Sequence, residues 1–430
     1  MTEVKEQETK KDEKEIEDLS LEDLSIKQLI EIEACTRCGE CLNWCPAYDG
    51  LKEENVLPRF KIDGMKTILR KKHNPFYRVL YNLIGKNVER EKFLNGLYAC
   101  TVCGQCHIVC PAKINTINLW EDTRQVSVEN GFGPLKEHDV FVKSIINYRN
   151  PWLYPRARRD KWAKDLTKEM RKKEKELKIK DLNKEDAKIL FFVGCTASYD
   201  PHIKDVAINT VKIFNEAGVD FGILGKKEQC CASTLLRVGE VKKFKEIANE
   251  NFKTFNELGV ELIVTSCAGC FKTLSQDYPK FGELKPKVMH TIEFIDELIE
   301  EGKLEFKKAI NKVITYHDPC HLGRHTNVYD PPRRVLESIT GIELIEMERN
   351  REYSRCCGAG GGLKPANPHL AERLSESRVE DAREINAEEL VTACPFCYQS
   401  LQNTVKMKKL RMEVSDITKL VSEALGLNDE

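Results

Sequence analysis

The arrangement of the cysteines constrains this chain more than any other feature of its sequence. All eighteen cysteines fall into four regularly spaced groups, and the groups form two repeats. A group of four recurs 65 positions later, giving Cys35, Cys38, Cys41 and Cys45, then Cys100, Cys103, Cys106 and Cys110. A group of five recurs after 125 to 127 positions, giving Cys195, Cys230, Cys231, Cys267 and Cys270, then Cys320, Cys356, Cys357, Cys394 and Cys397. Such repetition indicates duplicated structural units with duplicated binding sites.

Composition narrows what these cysteines can do. The formal net charge is -1, so the overall balance gives no indication of a nucleic-acid partner. No stretch approaches the roughly 18–20 consecutive apolar residues that span a bilayer, and the N-terminus lacks the apolar core of a secretory signal. The sequence therefore predicts a cytoplasmic protein, with attachment to the cytoplasmic face of the membrane through a partner subunit as an alternative. In a reducing compartment, dense cysteines typically bind metal rather than form disulfides.

Changes in composition along the chain predict five segments. Residues 1–20 are a charged tail with almost nothing to bury, and 21–150 carry both groups of four cysteines among predicted helices. Residues 151–187 are dominated by charged side chains, which favours a solvated helical connector. Short apolar runs then alternate with helical patterns, as is typical of parallel α/β units. The runs predicted as strands are 188–193, 219–224, 262–264, 312–316, 343–347 and 389–392. The repeat of five cysteines divides this last part into 188–310 and 311–430, so we expect a multidomain protein with two duplicated α/β domains.

The two groups of four cysteines share the pattern C-x2-C-x2-C-x3-C-P. It is typical of two-cluster ferredoxins, in which the fourth cysteine of each run ligates the other [4Fe–4S] cluster. One predicted cubane cluster is therefore held by Cys35, Cys38, Cys41 and Cys110, and the other by Cys100, Cys103, Cys106 and Cys45. Zinc is the alternative metal for C-x2-C spacing, but it needs neither the additional cysteines nor the proline after each run. We expect an α-helical, ferredoxin-like domain with two [4Fe–4S] clusters over 21–150.

The two groups of five cysteines have the spacing C-x34-CC-x35-C-x2-C and C-x35-CC-x36-C-x2-C. Five thiolates are one more than a tetrahedral zinc site or a simple cubane cluster requires. Two adjacent cysteines also cannot easily direct both sulfurs at a single metal ion. The pattern therefore favours a cluster in which cysteine sulfur bridges two irons.

The residues around these cysteines resemble a known family. The segments GCTASY, QCCAS and SCAGC, followed by HDPCH, RCCGAGGG and ACPFC, are similar to the cysteine-rich CCG domain. This domain occurs in heterodisulfide reductase and in the iron–sulfur subunits of glycolate, lactate and glycerol-3-phosphate dehydrogenases. The chain as a whole resembles the heterodisulfide reductase subunit, designated D, that fuses a two-cluster ferredoxin module to tandem CCG domains. One departure is Ala232, which stands where the motif has a glycine after the first pair of adjacent cysteines.

The resemblance implies a cofactor for each complete motif. In the family, each holds one non-cubane [4Fe–4S] cluster, so two such clusters are expected besides the two cubane ones. One non-cubane cluster would use Cys195, Cys230, Cys231, Cys267 and Cys270, and the other Cys320, Cys356, Cys357, Cys394 and Cys397.

Three histidines flank the first cysteine of the second motif, namely His317, His321 and His325. His321 directly follows Cys320, and histidine titrates near neutral pH. We therefore predict that His321 is a proton donor to a leaving thiolate. The alternative is a hydrogen bond from His321 to a ligand sulfur.

Two functions are compatible with this cysteine pattern. The first is reduction of a disulfide such as the coenzyme M–coenzyme B heterodisulfide, which takes two electrons and suits two one-electron centres. The alternative is an electron relay in a flavin-dependent glycolate, lactate or glycerol-3-phosphate dehydrogenase. Two intact motifs of five favour disulfide reduction, because relatives that act as relays commonly have one degenerate motif.

A zinc-bound scaffold without a redox role is a third alternative. Thiol exchange at Cys267/Cys270 or Cys394/Cys397 is disfavoured, because we interpret these pairs as ligands.

Either redox function requires a partner, since the sequence contains no flavin or nucleotide motif. We expect an electron-donating subunit, either a membrane cytochrome b or a soluble flavoprotein. The stretch from Phe76 to Ile84 is predicted as an amphipathic helix that faces the core, with contact to the partner as the alternative.

Overall fold

The computed structural model describes residues 15–85, 87–174 and 176–427. They form two compact units. The first, here called the four-cysteine unit, contains the residues up to 139 together with 234–241 and 358–374. The second, the five-cysteine unit, contains 140–233, 242–357 and the chain from 375 onward. The exact domain limits drawn from the sequence stay a prediction.

The last residues of the predicted tail are not solvated. Residues 1–14 lie outside the described part of the chain, but Ile16 and Leu19 are buried, and Ile16–Asp18 form a turn of 3₁₀ helix. The composition of the tail hid these two apolar residues among charged ones, and their burial corrects the prediction for this segment.

The four-cysteine unit is built from helices, as predicted. The first helix, Ile26–Ala34, begins with a capping box at Ser25. The Ser25 side chain accepts a hydrogen bond from the Gln28 backbone amide, and the Gln28 side chain accepts one from the Ser25 backbone amide. Three others begin with proline, which suits the first helical turn. The helices of this part of the chain are Ile26–Ala34, Glu40–Trp44, Pro46–Leu51, Pro58–His73, Pro75–Leu83, Arg90–Tyr98, Gln105–Ile108 and Thr116–Glu129.

Helix Pro75–Leu83 corrects one prediction. Its apolar side chains were expected to face the core, but Phe76, Val79 and Leu83 are 70%, 61% and 79% exposed. Tyr81 is the buried residue of this helix, and the helix packs on Pro58–His73. Its hydrophobic pattern is therefore that of an amphipathic helix whose apolar face is turned to the surface.

The five-cysteine unit contains two parallel sheets, which confirms the predicted α/β class. The first has the strand order β1-β3-β2-β4-β5, and the second has the order β7-β6-β8-β9. The strands are β1 Lys180–Asp181, β2 Ile189–Phe191, β3 Phe221–Ile223, β4 Leu262–Thr265, β5 Lys287–His290, β6 Lys312–His317, β7 Ile342–Leu344, β8 Glu389–Thr392 and β9 Glu413–Asp416. Six of these were predicted from short apolar runs, whereas β1, β5 and β9 lie at sheet edges and carry more polar residues.

Helices connect the strands, as parallel pairing requires. Among the described residues from 139 onward, two helices precede the first strand and one follows the last. The helices of this stretch are Asp139–Tyr148, Lys161–Lys172, Cys195–Tyr199, Asp205–Glu216, Ser233–Arg237, Val241–Glu257, Ala268–Lys272, Thr291–Glu300, Asp330–Glu337, Leu363–Ala366, Pro368–Glu384, Pro395–Met407 and Ile417–Ala424.

The sheets place the motif cysteines at equivalent positions. Cys195 and Cys267 follow the neighbouring strands β2 and β4, and Cys320 and Cys394 follow the neighbouring strands β6 and β8. Since the carboxyl ends of parallel strands meet at one edge, each sheet brings its first and fourth motif cysteines together there. The two halves also pack on each other, through helices Asp205–Glu216 and Ile417–Ala424.

The predicted connector is part of the fold. Residues 180–181 form β1 of the first sheet, and Arg159 is a fully buried side chain. The prediction of a solvated connector was therefore wrong for these positions. Charge density alone did not reveal that one arginine would find a buried carboxylate partner.

Candidate metal centre

The first set of four predicted ligands gathers at one cavity. Cys35, Cys38, Cys41 and Cys110 all line it, at the amino end of helix Pro58–His73, together with Cys106 of the second predicted set. Cys38 is exposed and the other three are partly buried. Three cysteines of the first run and the last cysteine of the second run thus lie together in the fold, as the ferredoxin pattern requires. This set of ligands lies near the protein surface.

The second set is more deeply enclosed. Cys45 lies close enough to Cys100 and Cys106 for their charges to interact, and Cys106 Sγ is 3.0 Å from Thr116 Oγ1. Burial raises the pKa of Cys45 and of Cys106 to about 12. Without a bound metal both thiols stay protonated at neutral pH, so neither is a reactive thiolate, and a metal bound there would displace the protons.

Two buried cations surround this second set. Lys61 is 1% exposed, lies near Cys45 and Cys106, and stacks on the Trp120 ring with 4.7 Å from Nζ to the ring centroid. Arg124 is fully buried and its charge interacts with Cys100. Positive charge beside a cluster stabilises its reduced state. Sequence reasoning missed both residues, because each is far along the chain from the cysteines that it approaches.

Arg124 also joins three chain segments of the four-cysteine unit. Its guanidinium donates to the carbonyls of Leu97 and Cys100 at 2.7 and 2.6 Å. It further donates to the carbonyls of Arg237 and Gly361 at 2.7 and 2.8 Å. Arg237 and Gly361 belong to the segments that follow the two pairs of adjacent cysteines. The four-cysteine unit therefore contains the two short segments that follow the adjacent cysteines of each motif of five.

The first motif of five forms a connected set of thiols. Cys231 and Cys270 lie 3.3 Å apart, and Cys230 is hydrogen-bonded to Cys195 and to Cys231. Arg159 Nη1 lies 3.5 Å from Cys195 Sγ, which links the connector to this set. Arg159 is held by a buried ion pair with Glu228, and Glu228 also accepts from the Gly194 amide at 3.0 Å.

The second motif of five has the equivalent sulfur–sulfur contact, but different side chains surround it. Cys357 and Cys397 lie 3.3 Å apart. His317 is buried, and one of its ring nitrogens lies within 4.8 Å of both sulfurs. Burial lowers the pKa of His317 to about 3, so this ring is neutral at physiological pH.

His321, the predicted proton donor, also reaches a sulfur. Its Nδ1 is 3.3 Å from Cys320 Sγ, and its ring stacks on His325 at 4.3 Å between centroids. This contact is compatible with both alternatives, a hydrogen bond to a ligand sulfur or proton transfer. The assignment of His321 stays a prediction.

The two motifs of five adjoin each other. The thiols of Cys267 and Cys394 lie close enough to interact, and this interaction contributes to lowering the pKa of Cys394. The connected sulfurs of the first motif therefore adjoin the second motif at Cys394, which precedes Cys397 by three residues. A hydrogen bond with Cys231 raises the pKa of Cys270, and one with Cys357 raises that of Cys397. Such sulfur-rich, buried surroundings suit thiophilic metal clusters.

Comparison with known proteins agrees with this geometry. A family described as a cysteine-rich domain, CCG, matches residues 189–275 and 314–402. A second family, described as a 4Fe-4S dicluster domain, matches residues 31–114. The chain is therefore an iron–sulfur oxidoreductase that combines a dicluster domain with two CCG domains, as the sequence predicted.

Individual relatives narrow the family further. The polypeptide designated D of dihydromethanophenazine:CoB–CoM heterodisulfide reductase from Methanosarcina acetivorans is 39% identical over 409 residues, covering 94% of this chain and 96% of the relative. The corresponding polypeptide of Methanosarcina mazei is 39% identical over 410 residues, with 93% and 95% coverage. The probable iron-sulfur-binding oxidoreductase FadF of Bacillus subtilis is 31% identical, and the match covers 93% of this chain and 60% of FadF.

The extent of the first two matches assigns the chain to a family. It belongs to the family of these heterodisulfide reductase polypeptides, which it matches over nearly the whole length of both partners in the comparison. Among its described residues, no helix combines the length and apolarity needed to cross a membrane.

Proposed function

We propose that this chain is the catalytic subunit of a heterodisulfide reductase, which reduces the coenzyme M–coenzyme B heterodisulfide or a similar small disulfide. The substrate would be cleaved at the two motifs of five, each holding one non-cubane [4Fe–4S] cluster, while the two motifs of four hold cubane clusters. Iron–sulfur clusters of both kinds transfer one electron at a time.

The contact between Cys267 and Cys394 carries this proposal. Cleavage of one S–S bond consumes two electrons and two protons and yields two thiols. A single one-electron centre would have to act twice. Two adjoining sets of ligands instead provide two one-electron centres at one place, where a disulfide can receive both electrons.

The protons must come from the protein or from water near the same sulfurs. His321 is suited to this role because Nδ1 lies 3.3 Å from Cys320 Sγ. A histidine placed there can deliver a proton to a thiolate product and recover it from solvent.

The motifs of four would supply the electrons. The set with exposed Cys38 is suited to receive them from a partner, because it lies near the surface. The set enclosed by Lys61 and Arg124 would accept them next, since buried positive charge favours the reduced state.

The partner would be a separate electron-donating subunit, a membrane cytochrome b or a soluble flavoprotein. The exposed apolar face of helix Pro75–Leu83 supports docking on this unit, and the helix is held on Pro58–His73 by contacts of Tyr81 and Asn82 with Arg70 and Lys71. With a membrane cytochrome as partner, the chain would be peripheral on the cytoplasmic face.

A relay without disulfide chemistry is the second candidate, and two relatives favour it. FadF is named as an iron–sulfur-binding oxidoreductase, and a relative from Syntrophomonas wolfei, 31% identical, is named EtfAB:quinone oxidoreductase. In this alternative, all four clusters would pass electrons from a flavoprotein towards an acceptor.

The test is anaerobic reduction of the heterodisulfide by the purified holoprotein, with reduced methyl viologen as the electron donor. We expect one molecule of each thiol for every two electrons consumed. The variant Cys394→Ser should lose this activity while viologen still reduces the cubane clusters. Full cluster content with electron uptake and no thiol product would contradict the proposal and favour the relay.

A further inference from the structure

The two motifs of five differ at a buried position that, in the second half, lies beside the sulfurs. The offset of 125 positions between Cys195 and Cys320 pairs Phe192 with His317, each three residues before its cysteine. Both side chains are buried, at 0% and 1% exposure. The duplicated scaffold thus places an apolar ring in the first half and an imidazole in the second.

The imidazole of His317 lies against two ligand sulfurs. One of its ring nitrogens and the Sγ atoms of Cys357 and Cys397 all lie within 4.8 Å of one another. The ring is held there by its place at the carboxyl end of β6, which pairs with β8 through His317 and Thr392.

Arg378 fixes which nitrogen of His317 carries the proton. Its Nε donates to Nδ1 of His317 at 3.1 Å, and its Nη1 donates to the Arg349 carbonyl at 2.8 Å. Arginine can only donate, so Nδ1 is the acceptor, and a neutral ring then carries its proton on Nε2. Arg378 is itself fully buried and paired with Asp381, so this arrangement is part of the packed fold.

Nε2–H of His317 is buried and has no hydrogen-bond partner among the residues that the structure describes. An unsatisfied buried donor costs about 1–3 kcal/mol, so such groups are rarely left without an acceptor. The sulfurs of Cys357 and Cys397, each within 4.8 Å of a nitrogen of this ring, can serve as that acceptor. Binding of iron at Nε2 is disfavoured, because it would require the proton on Nδ1, where Arg378 already donates.

We propose that Nε2–H of His317 donates a hydrogen bond to sulfur of the second five-cysteine cluster and thereby sets its reduction potential apart from that of the first. The inference rests on the cluster assignment made above. Hydrogen bonds to cluster sulfur stabilise the reduced state and raise the potential. His317 is thus a positioning and tuning residue for one of two otherwise equivalent centres.

The experiment is a redox titration of the holoprotein followed by electron paramagnetic resonance. His317→Phe installs the side chain of the first half, and we expect the midpoint potential of one cluster to become more negative while the iron content is unchanged. His317→Gln keeps an N–H donor and should restore part of the shift. Phe192→Leu, at the matched position of the first half, should leave the second cluster unaffected.

Pulsed measurements on protein with ¹⁵N-labelled histidine separate a hydrogen bond from a ligand. The proposal predicts weak nitrogen coupling together with an exchangeable proton, both lost in His317→Phe. Strong coupling typical of direct coordination, or selective loss of iron from His317→Phe, would overturn it. An unmoved potential in a variant with full iron and heterodisulfide activity would also overturn it, and would leave the proposed function standing. Wild-type protein with no iron at the motifs of five would overturn both.

Discussion

The first and second halves of the five-cysteine unit share four parallel strands in the same order and five cysteines at matching positions, and they differ in the groups that touch the sulfurs. In the first half, Arg159 reaches Cys195 from outside the repeated segment, and Phe192 is apolar. In the second half, His317 and His321 are both supplied from within the motif itself. Duplication therefore preserved the ligand scaffold, whereas the polar groups around each set of sulfurs diverged.

The two halves also differ in the titratable residue that ends an edge strand of each sheet. His290 ends β5 and Asp416 ends β9, and each side chain accepts a hydrogen bond from the first turn of the following helix. Both are buried, at 1% and 2% exposure. Burial disfavours the charged form of either residue, so it lowers the pKa of His290 to about 4 and raises the pKa of Asp416 to about 7.

The largest effect that we expect from this comparison is on Arg159. Arg159→Ala would leave the carboxylate of Glu228 buried without its partner, which costs about 3–5 kcal/mol in the free energy of unfolding. It would also remove the donor to Cys195. Differential scanning calorimetry and the electron paramagnetic resonance spectrum should show a large drop in melting temperature and a changed signal of the first cluster.

Two controls sharpen this test. Arg158→Ala removes a neighbouring exposed arginine and should change stability by less than about 1 kcal/mol. Arg333→Ala breaks the buried pair with Asp318 in the second half, and it should destabilise the protein without altering the signal of the first cluster. A spectrum unchanged by Arg159→Ala would show that this arginine has only a structural role.

The second effect is an opposite response of the two halves to pH. Because Asp416 binds its proton more tightly in the folded state, protonated Asp416 adds to the free energy of unfolding. This stabilisation is complete below about pH 4 and is lost as pH rises through about 7. This loss is worth up to about 4 kcal/mol. Because His290 resists protonation when folded, its contribution is complete above about pH 6.5 and is lost as pH falls towards 4, by up to about 3 kcal/mol.

Melting temperatures of Asp416→Asn and His290→Asn, measured between pH 5.5 and 8, test these signs. Asparagine keeps a side-chain acceptor at the helix start in both variants. Relative to wild type, Asp416→Asn should gain stability as pH rises, and His290→Asn should gain it as pH falls. Parallel pH profiles for wild type and both variants would contradict the assignment.

The smallest effect concerns the loop after each pair of adjacent cysteines. Ala232 has φ 62°, and Gly358, at the equivalent position, has φ 80°. The departure from the family motif at Ala232 therefore keeps a left-handed backbone that alanine tolerates poorly. Ala232→Gly should stabilise the protein by about 1 kcal/mol, measured as a rise in melting temperature.

The reciprocal change provides the control for that loop. Gly358→Ala should destabilise the protein, because its Cβ would clash with the backbone carbonyl oxygen of Ala371. Equal melting temperatures for Ala232→Gly and wild type would show that the first loop relaxes without strain.

Spacing and periodicity were sufficient to predict the main strands. They predicted β2, β4, β6 and β8, because central parallel strands are continuous apolar runs. They could not predict β1, whose two residues, Lys180 and Asp181, read as part of a charged segment.

The neighbours of the sulfurs were harder to predict, because proximity in the fold does not follow from proximity in sequence. Arg159 is 36 positions from Cys195, and Arg378 is 61 positions from the histidine that it orients. His317 was visible as a histidine near Cys320. Its contact with Cys357 and Cys397 depended on the pairing of β6 and β8, which the sequence pattern does not reveal. A buried arginine is a rare event that composition cannot locate.

The central claim is that two adjoining iron–sulfur centres cleave a disulfide, and a thiol-response experiment tests it most directly. The oxidised holoprotein is mixed anaerobically with coenzyme M or coenzyme B, and iron content and the electron paramagnetic resonance spectrum are recorded. We predict about sixteen irons per chain, as four [4Fe–4S] clusters require, and a new paramagnetic signal that depends on the thiol and disappears in Cys394→Ser. About eight irons, or an unchanged spectrum with either thiol, would contradict the account.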